Sequence, residues 1–185
     1  MKVLLVASDK AELKPFSDEY IKVVSGVGPV LAAASSAYAI AEHNPDIVFS
    51  VGSAGSMGKL KLGDVVSFSR VITPDSNLTA FHLPLGATLL PSRATISSIP
   101  LDSTSEYILS SSGSFASVKD ESSDAADMEA YGVALACYLK RIPCFAVKVI
   151  TDIVGERISL GDYGYNLRAM REAMAVKVDE ILARF

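Results

Sequence analysis

The stretch Ala126–Gly155 constrains the fold of this chain more than any other. Within it, an apolar segment of helical length, Glu129–Lys140, is followed by an apolar, β-branched run of strand length, Cys144–Ile150. The helical segment is apolar on nearly every side, which predicts burial on most of its faces. Gly132, in its first turns, predicts that another backbone approaches closely there. We therefore expect an α/β fold organised around one buried helix–strand unit.

A carboxylate lies at the outer end of each of these two elements. Glu129 opens the helix, and Asp152 comes just past the predicted carboxyl end of the strand, where ligands bind in open α/β sheets. A charged side chain at the start of so buried a helix is energetically costly unless something binds it, so we expect Glu129 to have a binding partner. Taken singly, Glu129 could be a first-turn carboxylate favoured by the helix dipole, and Asp152 a turn residue. Together they favour a functional site.

Composition predicts one compact domain over residues 1–185, because half of the residues are hydrophobic (50%) and only 21% are charged. The net charge of −4 offers no basic surplus for a phosphate backbone, so no nucleic-acid partner is expected. The first ten residues hold an apolar run too short for a signal peptide or a membrane span, which predicts a cytoplasmic protein without a membrane partner.

Cysteine and histidine are too scarce to suggest a metal site or a Ser–His triad. Cys137 and Cys144 fall in the buried helix and at the strand start, and are expected to be packed thiols rather than a disulfide or a metal pair. His43 and His82 fall in a helix end and a loop. Neither a metal nor a cofactor is expected.

The rest of the chain alternates apolar runs with polar turns. The pattern predicts strands at Val3–Ala7, Tyr20–Val24, Ile47–Val51, Asp64–Val71 and Glu106–Leu109, and helices at Pro29–Glu42 and about Tyr163–Phe185. The last helix is predicted to bury the apolar positions Leu167, Met170, Met174, Val178, Ile181 and Leu182. Gly52–Leu60 is predicted as a glycine-rich loop, Ile72–Ser105 as a loop covering a site or an interface, and residues 120–127 as an acidic approach to the central helix.

Two glycine-rich loops fail the common nucleotide motifs. Gly52–Leu60 has five residues between Gly52 and Gly58 where a P-loop has four, and Leu60 where a P-loop has Ser or Thr. The other loop has Gly26 and Gly28, but Leu31 replaces the third glycine of a dinucleotide fingerprint. Both loops can still present backbone N–H groups to a ligand.

Three carboxylates, Glu12, Glu129 and Asp152, follow a predicted strand or begin a buried helix. Glu12 alone could equally be a solvated helix-face residue beside Lys10 and Lys14. The sequence offers no set of metal ligands and no nucleophile–base pair. Three carboxylates then suit cleavage of a glycosidic bond best, because this reaction needs an acid that protonates the leaving group and a base that activates water. Desolvation can keep one of them protonated at neutral pH while the others stay ionised.

The order of short motifs SGVG, VGSAGS, LGDVV, LTAF, SGSF, DMEA and VKVITD resembles the nucleoside phosphorylase and nucleosidase superfamily, in particular the 5′-methylthioadenosine/S-adenosylhomocysteine nucleosidases. The resemblance implies a three-layer α/β/α sandwich around a twisted mixed sheet. It also implies a homodimer and a small-molecule nucleoside substrate.

The resemblance assigns chemical roles to individual residues. Glu12 would activate the water, Glu129 would hold the ribose hydroxyls, and Asp152 would protonate the imidazole nitrogen of the leaving purine. Ser53 would lie close to Asp152 and help to orient it. Lys148 stands where these nucleosidases usually have Arg, behind Glu129 and Asp152, and it replaces a planar fork of donors with a point charge.

Four further residues would bind the substrate. Phe115 would stack on the base while the backbone at Ala116 reads the edge of the base. Met128 would pack under the ribose. Phe81 resembles a residue that reaches the partner subunit's site across the dimer interface.

The nucleophile divides this superfamily into hydrolases and phosphorylases. Phosphorolysis needs fixed cations around a dianion, and phosphorylases of this kind usually have an arginine just before the VGS motif. Ser50 occupies that position here, and the first arginine of the chain is Arg70. Hydrolysis is therefore favoured over phosphorolysis.

The substrate remains open between several 5′-modified nucleosides. The segments GVGP and VGER resemble the futalosine hydrolases of menaquinone biosynthesis, which tend to carry Asn at the position of Asp152. Because Asp can accept a hydrogen bond from an exocyclic amino group, adenine is the favoured base, with aminodeoxyfutalosine an alternative to the thioadenosines. A nucleoside-binding relative without activity is a third possibility.

Overall fold

The computed structural model describes residues 1–157 and 159–185. For residues 160, 162, 163 and 165–170 it describes the backbone and not the side chain. The elements follow in this order: β1 (Val3–Ala7), β2 (Ile21–Val24), α1 (Pro29–His43), β3 (Ile47–Ser56), β4 (Val65–Ser67), β5 (Arg70–Ile72), a 3₁₀ turn (Thr79–Phe81), β6 (Thr88–Leu89), β7 (Thr95–Ile96), β8 (Ile99–Pro100), β9 (Ile108–Ser111), β10 (Ala125–Asp127), α2 (Ala130–Lys140), β11 (Cys144–Ile153) and α3 (Leu160–Leu182).

Strand β3 is the centre of a mixed sheet. Its first residues pair in parallel with β1, its last two pair antiparallel with β10, and β11 runs parallel along its other side. The sheet continues from β1 to β2, from β10 through β9 and β5 to β8, and from β11 to β4. The carboxyl ends of β1, β3 and β11 therefore point in one direction, toward one edge of the sheet.

Helices cover both faces of the sheet, as the resemblance implied. One apolar core holds Leu4 and Val48 together with residues of α1 and α2, and the other holds Leu5 and Phe49 together with residues of α3. Neighbouring strand residues point to opposite faces, and both faces are buried, so the strands read as continuous apolar runs. The three-layer α/β/α architecture is confirmed.

Gly132 is where α2 comes closest to α1. A side-chain Cβ built at this glycine would lie 2.2 Å from the carbonyl oxygen of Pro29. No side chain fits at that distance, so the predicted close approach of another backbone is confirmed. On the opposite face, α3 buries Met174, Val178 and Ile181; the side chains of the predicted positions Leu167 and Met170 lie outside the described residues.

Four predicted boundaries are wrong. Gly52–Ser56 is not a loop but the end of β3, because β11 pairs with it throughout. Asp64–Val71 breaks after Ser67, since β4 pairs with β11 whereas β5 pairs with β8 and β9. The acidic approach contains a strand, β10, which follows β9 and pairs with it in parallel. The predicted strand Glu106–Leu109 is displaced by two residues, to β9.

The segment between β5 and β9 has little regular structure, as its composition predicts. It contains a 3₁₀ turn and short strands, of which β6 and β7 form a small separate sheet. Within residues 1–157 and 159–185, no helix combines the length and the apolar character that crossing a membrane requires.

Candidate active site

A cavity of about 420 Å³ opens at the edge of the sheet to which β1, β3 and β11 point. Its wall is mainly apolar and includes three carboxylate residues. The lining residues are Ser8, Val27, Ser53, Ala54, Gly55, Phe115, Ala116, Ala126, Asp127, Met128, Glu129, Asp152, Val154 and Ser159. They come from seven separate segments, so the fold assembles this cavity from parts of the chain that are distant in sequence.

Glu12 lies just behind the cavity wall and is only 2% exposed. Its Oε2 accepts hydrogen bonds from Ser8 N (3.1 Å), Ser8 Oγ (2.9 Å) and Asp9 N (3.1 Å). Its Oε1 accepts from Ser53 N (3.1 Å) and Ser53 Oγ (3.4 Å). Gly52 makes room for this carboxylate, because a Cβ there would lie 2.7 Å from Oε1. The interpretation of Glu12 as a solvated helix-face residue is therefore wrong.

Glu129 precedes the first residue of α2 and faces the cavity. Its Oε1 accepts a hydrogen bond of 2.8 Å from the backbone N–H of Gly28, in the loop before α1. Burial raises the pKa of this carboxyl; the nearby charge of Lys148 opposes the increase and that of Asp127 adds to it. The loop of Gly26 and Gly28 thus presents an N–H group to a carboxylate of the protein itself.

The sequence predicted Asp152 just past the end of the strand, but it lies inside β11. The pairing register with β3 shifts between Ile150 and Asp152, and this irregularity places the carboxylate in the cavity wall. Burial raises the pKa of Asp152, while a hydrogen bond of 3.0 Å from Thr151 Oγ1 partly opposes the increase. Gly55 leaves space for the carboxylate, since a Cβ there would lie 2.7 Å from Oδ2.

Lys148 forms a buried network that sequence reasoning missed. Its ammonium lies 2.8 Å from Asp127 Oδ2 and donates to Ser50 Oγ at 3.2 Å. Asp127 also accepts from Ala130 N (3.0 and 3.3 Å), the first N–H group of α2, and so holds the start of this helix. Lys148 was expected behind Glu129 and Asp152, and its direct ionic partner is Asp127.

Ser53 was expected next to Asp152, and the structure shows its backbone N and its Oγ donating to Glu12. Three of the four predicted substrate-binding positions, Phe115, Ala116 and Met128, line the same cavity as Ser53. Phe81 lies elsewhere, in the 3₁₀ turn, where it is 75% exposed and outside the cavity lining. The cavity therefore brings together all the predicted site residues except Phe81, with Glu12 and Lys148 just behind its wall.

The two cysteines are buried, unpaired thiols, as predicted. The neighbouring Cys137 thiol and burial together raise the pKa of Cys144 well above its usual range. Across the described part of the chain, no group of three or more His, Cys, Asp or Glu side chains is arranged to hold a metal ion.

Residues 17–106 match the sequence profile of the Phosphorylase superfamily. The 5′-methylthioadenosine/S-adenosylhomocysteine nucleosidase of Staphylococcus saprophyticus is 28% identical over an alignment that covers 90% of this chain and 80% of that protein. The chain is thus similar in sequence to the phosphorylase superfamily and to this nucleosidase.

Solved structures show a similarity at the level of the fold. The 5′-methylthioadenosine/S-adenosylhomocysteine nucleosidase of Helicobacter pylori superposes with a TM-score of 0.84 at 18% identity, covering 100% of this chain and 99% of that one. A futalosine hydrolase from the same organism superposes with a TM-score of 0.82 at 19% identity, covering 100% of this chain and 98% of that one. The chain therefore has the same fold as these two proteins.

Proposed function

We propose that this protein is a purine nucleoside N-ribohydrolase that releases adenine from a 5′-modified adenosine of the methylthioadenosine or S-adenosylhomocysteine type. The observation that carries the proposal is that Glu129 and Asp152 line one cavity and that Glu12 is hydrogen-bonded to Ser8 and Ser53 in its wall. The curated relative of Staphylococcus saprophyticus, matched over most of this chain, is named for this activity. The overall reaction adds water to the nucleoside and yields adenine and the 5′-modified ribose.

Asp152 is the proposed general acid. Because burial raises its pKa, the carboxyl retains a proton closer to neutral pH than an ordinary aspartate does. It would donate that proton to the imidazole nitrogen of the purine as the glycosidic bond breaks, so that the base leaves uncharged. Thr151 Oγ1 donates to Oδ1, which favours Oδ2 as the oxygen that carries the proton.

Glu12 is the proposed base that activates water. Donors from Ser8, Asp9 and Ser53 hold both of its oxygens in place, so the carboxylate has a fixed orientation just behind the wall. Because a base must act on the opposite face of the sugar from the leaving group, Glu12 and Asp152 would bracket the anomeric carbon. The water would lose a proton to Glu12 as its oxygen bonds to that carbon.

Glu129 is the proposed ribose ligand. A carboxylate can accept hydrogen bonds from two vicinal hydroxyls, and these bonds strengthen as the sugar gains positive charge in the oxocarbenium-like transition state. Phe115 would stack on the base, the backbone at Ala116 would read its edge, and Met128 would pack under the ribose. All four residues line the cavity, which supports this arrangement.

The charges around the cavity favour water over phosphate as the nucleophile. A phosphate dianion needs cations that are free to bind it. Among the described lining residues of the cavity there is no arginine and no lysine. Ser50, at the position where phosphorylases have an arginine, accepts a hydrogen bond from Lys148, and Lys148 is already paired with Asp127.

A futalosine or aminodeoxyfutalosine hydrolase of menaquinone biosynthesis is the second candidate, favoured by the superposition with the Helicobacter pylori futalosine hydrolase. We further propose a cytoplasmic homodimer. The exposed Phe81 supports the dimer, because a large apolar side chain on the surface is suited to contact a partner subunit.

A substrate panel tests these proposals. Methylthioadenosine, S-adenosylhomocysteine, aminodeoxyfutalosine, futalosine and inosine are each incubated with the protein, with and without phosphate, and the released base and sugar are quantified. We expect adenine release from a thioadenosine at a rate independent of phosphate. Faster turnover of futalosine or aminodeoxyfutalosine would select the second candidate. Formation of a ribose 1-phosphate would identify a phosphorylase, and no base release from any nucleoside would contradict an enzymatic function.

A further inference from the structure

The ion pair between Lys148 and Asp127 is unusual because both side chains are almost completely enclosed. The Lys148 side chain is 2% exposed and that of Asp127 1%, and their charged atoms lie 2.8 Å apart. Removing two charges from water is so unfavourable that a buried pair is often no more stabilising than well-packed apolar residues. Stability alone is therefore a poor explanation for a lysine at the centre of this sheet.

The pair lies directly behind Glu129. Asp127 is two residues before Glu129 in the chain and accepts a hydrogen bond from Ala130 N, so it fixes the turn from which Glu129 extends into the cavity. Lys148 comes from β11 and approaches the same turn from inside the sheet. A side chain whose backbone is held on both sides loses less freedom when it binds a ligand.

The charges around this pair form one coupled group. Burial by itself lowers the pKa of Lys148, but Asp127, Glu129 and Glu12 together raise it, so the ammonium stays charged at neutral pH. Asp127 and Glu12 also raise the pKa of Glu129, and Lys148 lowers it. The charge of Lys148 also acts on the Cys144 thiol, whose pKa the neighbouring Cys137 thiol and burial nevertheless hold well above its usual range. Lys148 therefore balances the carboxylates that surround Glu129.

We propose that Lys148 and Asp127 are positioning residues for Glu129, which fix the first turn of α2 and keep Glu129 a charged acceptor for the ribose hydroxyls. This inference rests on the proposed function, because it concerns the contact between Glu129 and the sugar. Both residues act through Glu129.

The first test compares Lys148→Met with Lys148→Arg, using the pH profile of kcat/KM for adenine release from methylthioadenosine. Without a cation, Glu129 takes up a proton more readily, so the acid limb of the Lys148→Met profile moves to higher pH, by about one unit or more. Lys148→Arg keeps the charge and leaves the limb in place. An unmoved limb in Lys148→Met, or the same displacement in both variants, would overturn the proposal.

The second test uses Asp127→Asn, which preserves the shape of the side chain and serves if Lys148→Met does not fold. Its readout is the ratio of kcat/KM for methylthioadenosine to that for the 2′-deoxy analogue. With Asp127 neutral, Lys148 is drawn to Glu129 and competes with the ribose, so the ratio falls by about tenfold. A purely structural role would slow both substrates equally, and an unchanged ratio would overturn the proposal.

The activity of the wild-type protein distinguishes a failure of the proposed function from a failure of the positioning role of Lys148 and Asp127. If it releases no adenine from methylthioadenosine or from any other nucleoside of the panel, the proposed function fails and this inference fails with it. If the wild type is active but the variants keep its acid limb and its preference for the 2′-hydroxyl, only the positioning role is overturned.

Discussion

Asp102 and Asp152 are both buried aspartates, but their surroundings have opposite effects on proton affinity. Asp102 is 2% exposed and its carboxylate accepts hydrogen bonds from Ser67 Oγ (2.8 Å), Thr104 N (3.0 Å) and Thr104 Oγ1 (2.8 Å). Arg184, just after α3, adds two more donors at 2.9 and 3.0 Å. Burial alone would raise the pKa of Asp102, but these partners, Arg184 foremost, hold it well below its usual range.

Asp152 is 6% exposed, so it is buried almost as completely as Asp102. Here burial dominates, and the hydrogen bond from Thr151 only partly offsets it, so the pKa is raised. The comparison teaches that burial alone does not decide whether a carboxylate is structural. Asp102, with a cationic partner and several donors, stays ionised and holds the chain together, whereas Asp152, with an unbalanced desolvation cost, can store a proton for a reaction.

Replacement of Asp152 by Asn should give the largest effect. The amide cannot supply the proton that the leaving purine needs, so we expect kcat to fall by about 10²- to 10⁴-fold. The variant should be at least as stable as the wild type at pH 7, because a carboxyl with an unfavourable burial energy has been removed. Steady-state adenine release and thermal unfolding check the two parts. A variant with wild-type kcat would show that Asp152 is not the acid.

Replacement of Asp102 by Asn should lower stability and leave kcat nearly unchanged, the reverse of the result expected for Asp152→Asn. The amide weakens the contact with Arg184, and we expect the free energy of unfolding to fall by about 2–3 kcal/mol. This is no more than the smallest loss expected when a fully buried ion pair is broken, because Arg184 is partly exposed. The kcat of the folded fraction should stay within about twofold, since nothing in the cavity has changed. Chemical denaturation, with activity measured on the same sample, makes the comparison. A large loss of kcat with unchanged stability would reverse the assignment of the two aspartates.

The pH dependence of stability should distinguish the same two aspartates by sign. The lowered pKa of Asp102 stabilises the protein above the unfolded-state pKa of about 4, and this contribution is lost as the pH falls below that value. The raised pKa of Asp152 has the opposite effect: its destabilising contribution grows as the pH rises from the unfolded-state value to the folded-state value, and is complete above the latter. The free energy of unfolding at pH 7 should therefore be lower than wild type for Asp102→Asn and higher than wild type for Asp152→Asn. Both differences should become smaller as the pH is lowered. Differences of the same sign would contradict the comparison.

The smallest expected effects come from two matched substitutions of threonine donors. Thr151→Val removes a hydrogen bond that favours the charged form of Asp152, so the alkaline limb of the kcat profile should move to higher pH by about half a unit to one unit. Thr104→Val removes one of several donors to Asp102 and should lower stability by about 1 kcal/mol without moving that limb. A limb that moves to lower pH in Thr151→Val would contradict the role of this hydrogen bond.

The sequence predicted the fold well where one local pattern decides the structure. The apolar period of α2, the β-branched run of β11 and Gly132 all report local geometry, and each was confirmed. Asp152 was predicted at a strand end but lies within β11, because the register shift against β3 depends on pairing that no local pattern encodes.

The site was predictable only in part, because its contacts join distant segments. Glu12 looks like a solvated residue beside lysines, and its burial depends on Ser53, 41 positions later in the chain. Lys148 and Asp127 come from different strands, so nothing in either segment indicates their ion pair. The bond between Arg184 and Asp102 spans 82 positions and was not anticipated at all.

A crystal structure of the Asp152→Asn variant with methylthioadenosine bound would test the central claim most directly, because the slow variant should retain the intact nucleoside. We expect the glycosidic bond to lie between Glu12 and the asparagine at position 152, with the ribose hydroxyls on Glu129 and the base against Phe115. A nucleoside bound elsewhere, or in this cavity with its anomeric carbon turned away from Glu12, would contradict it.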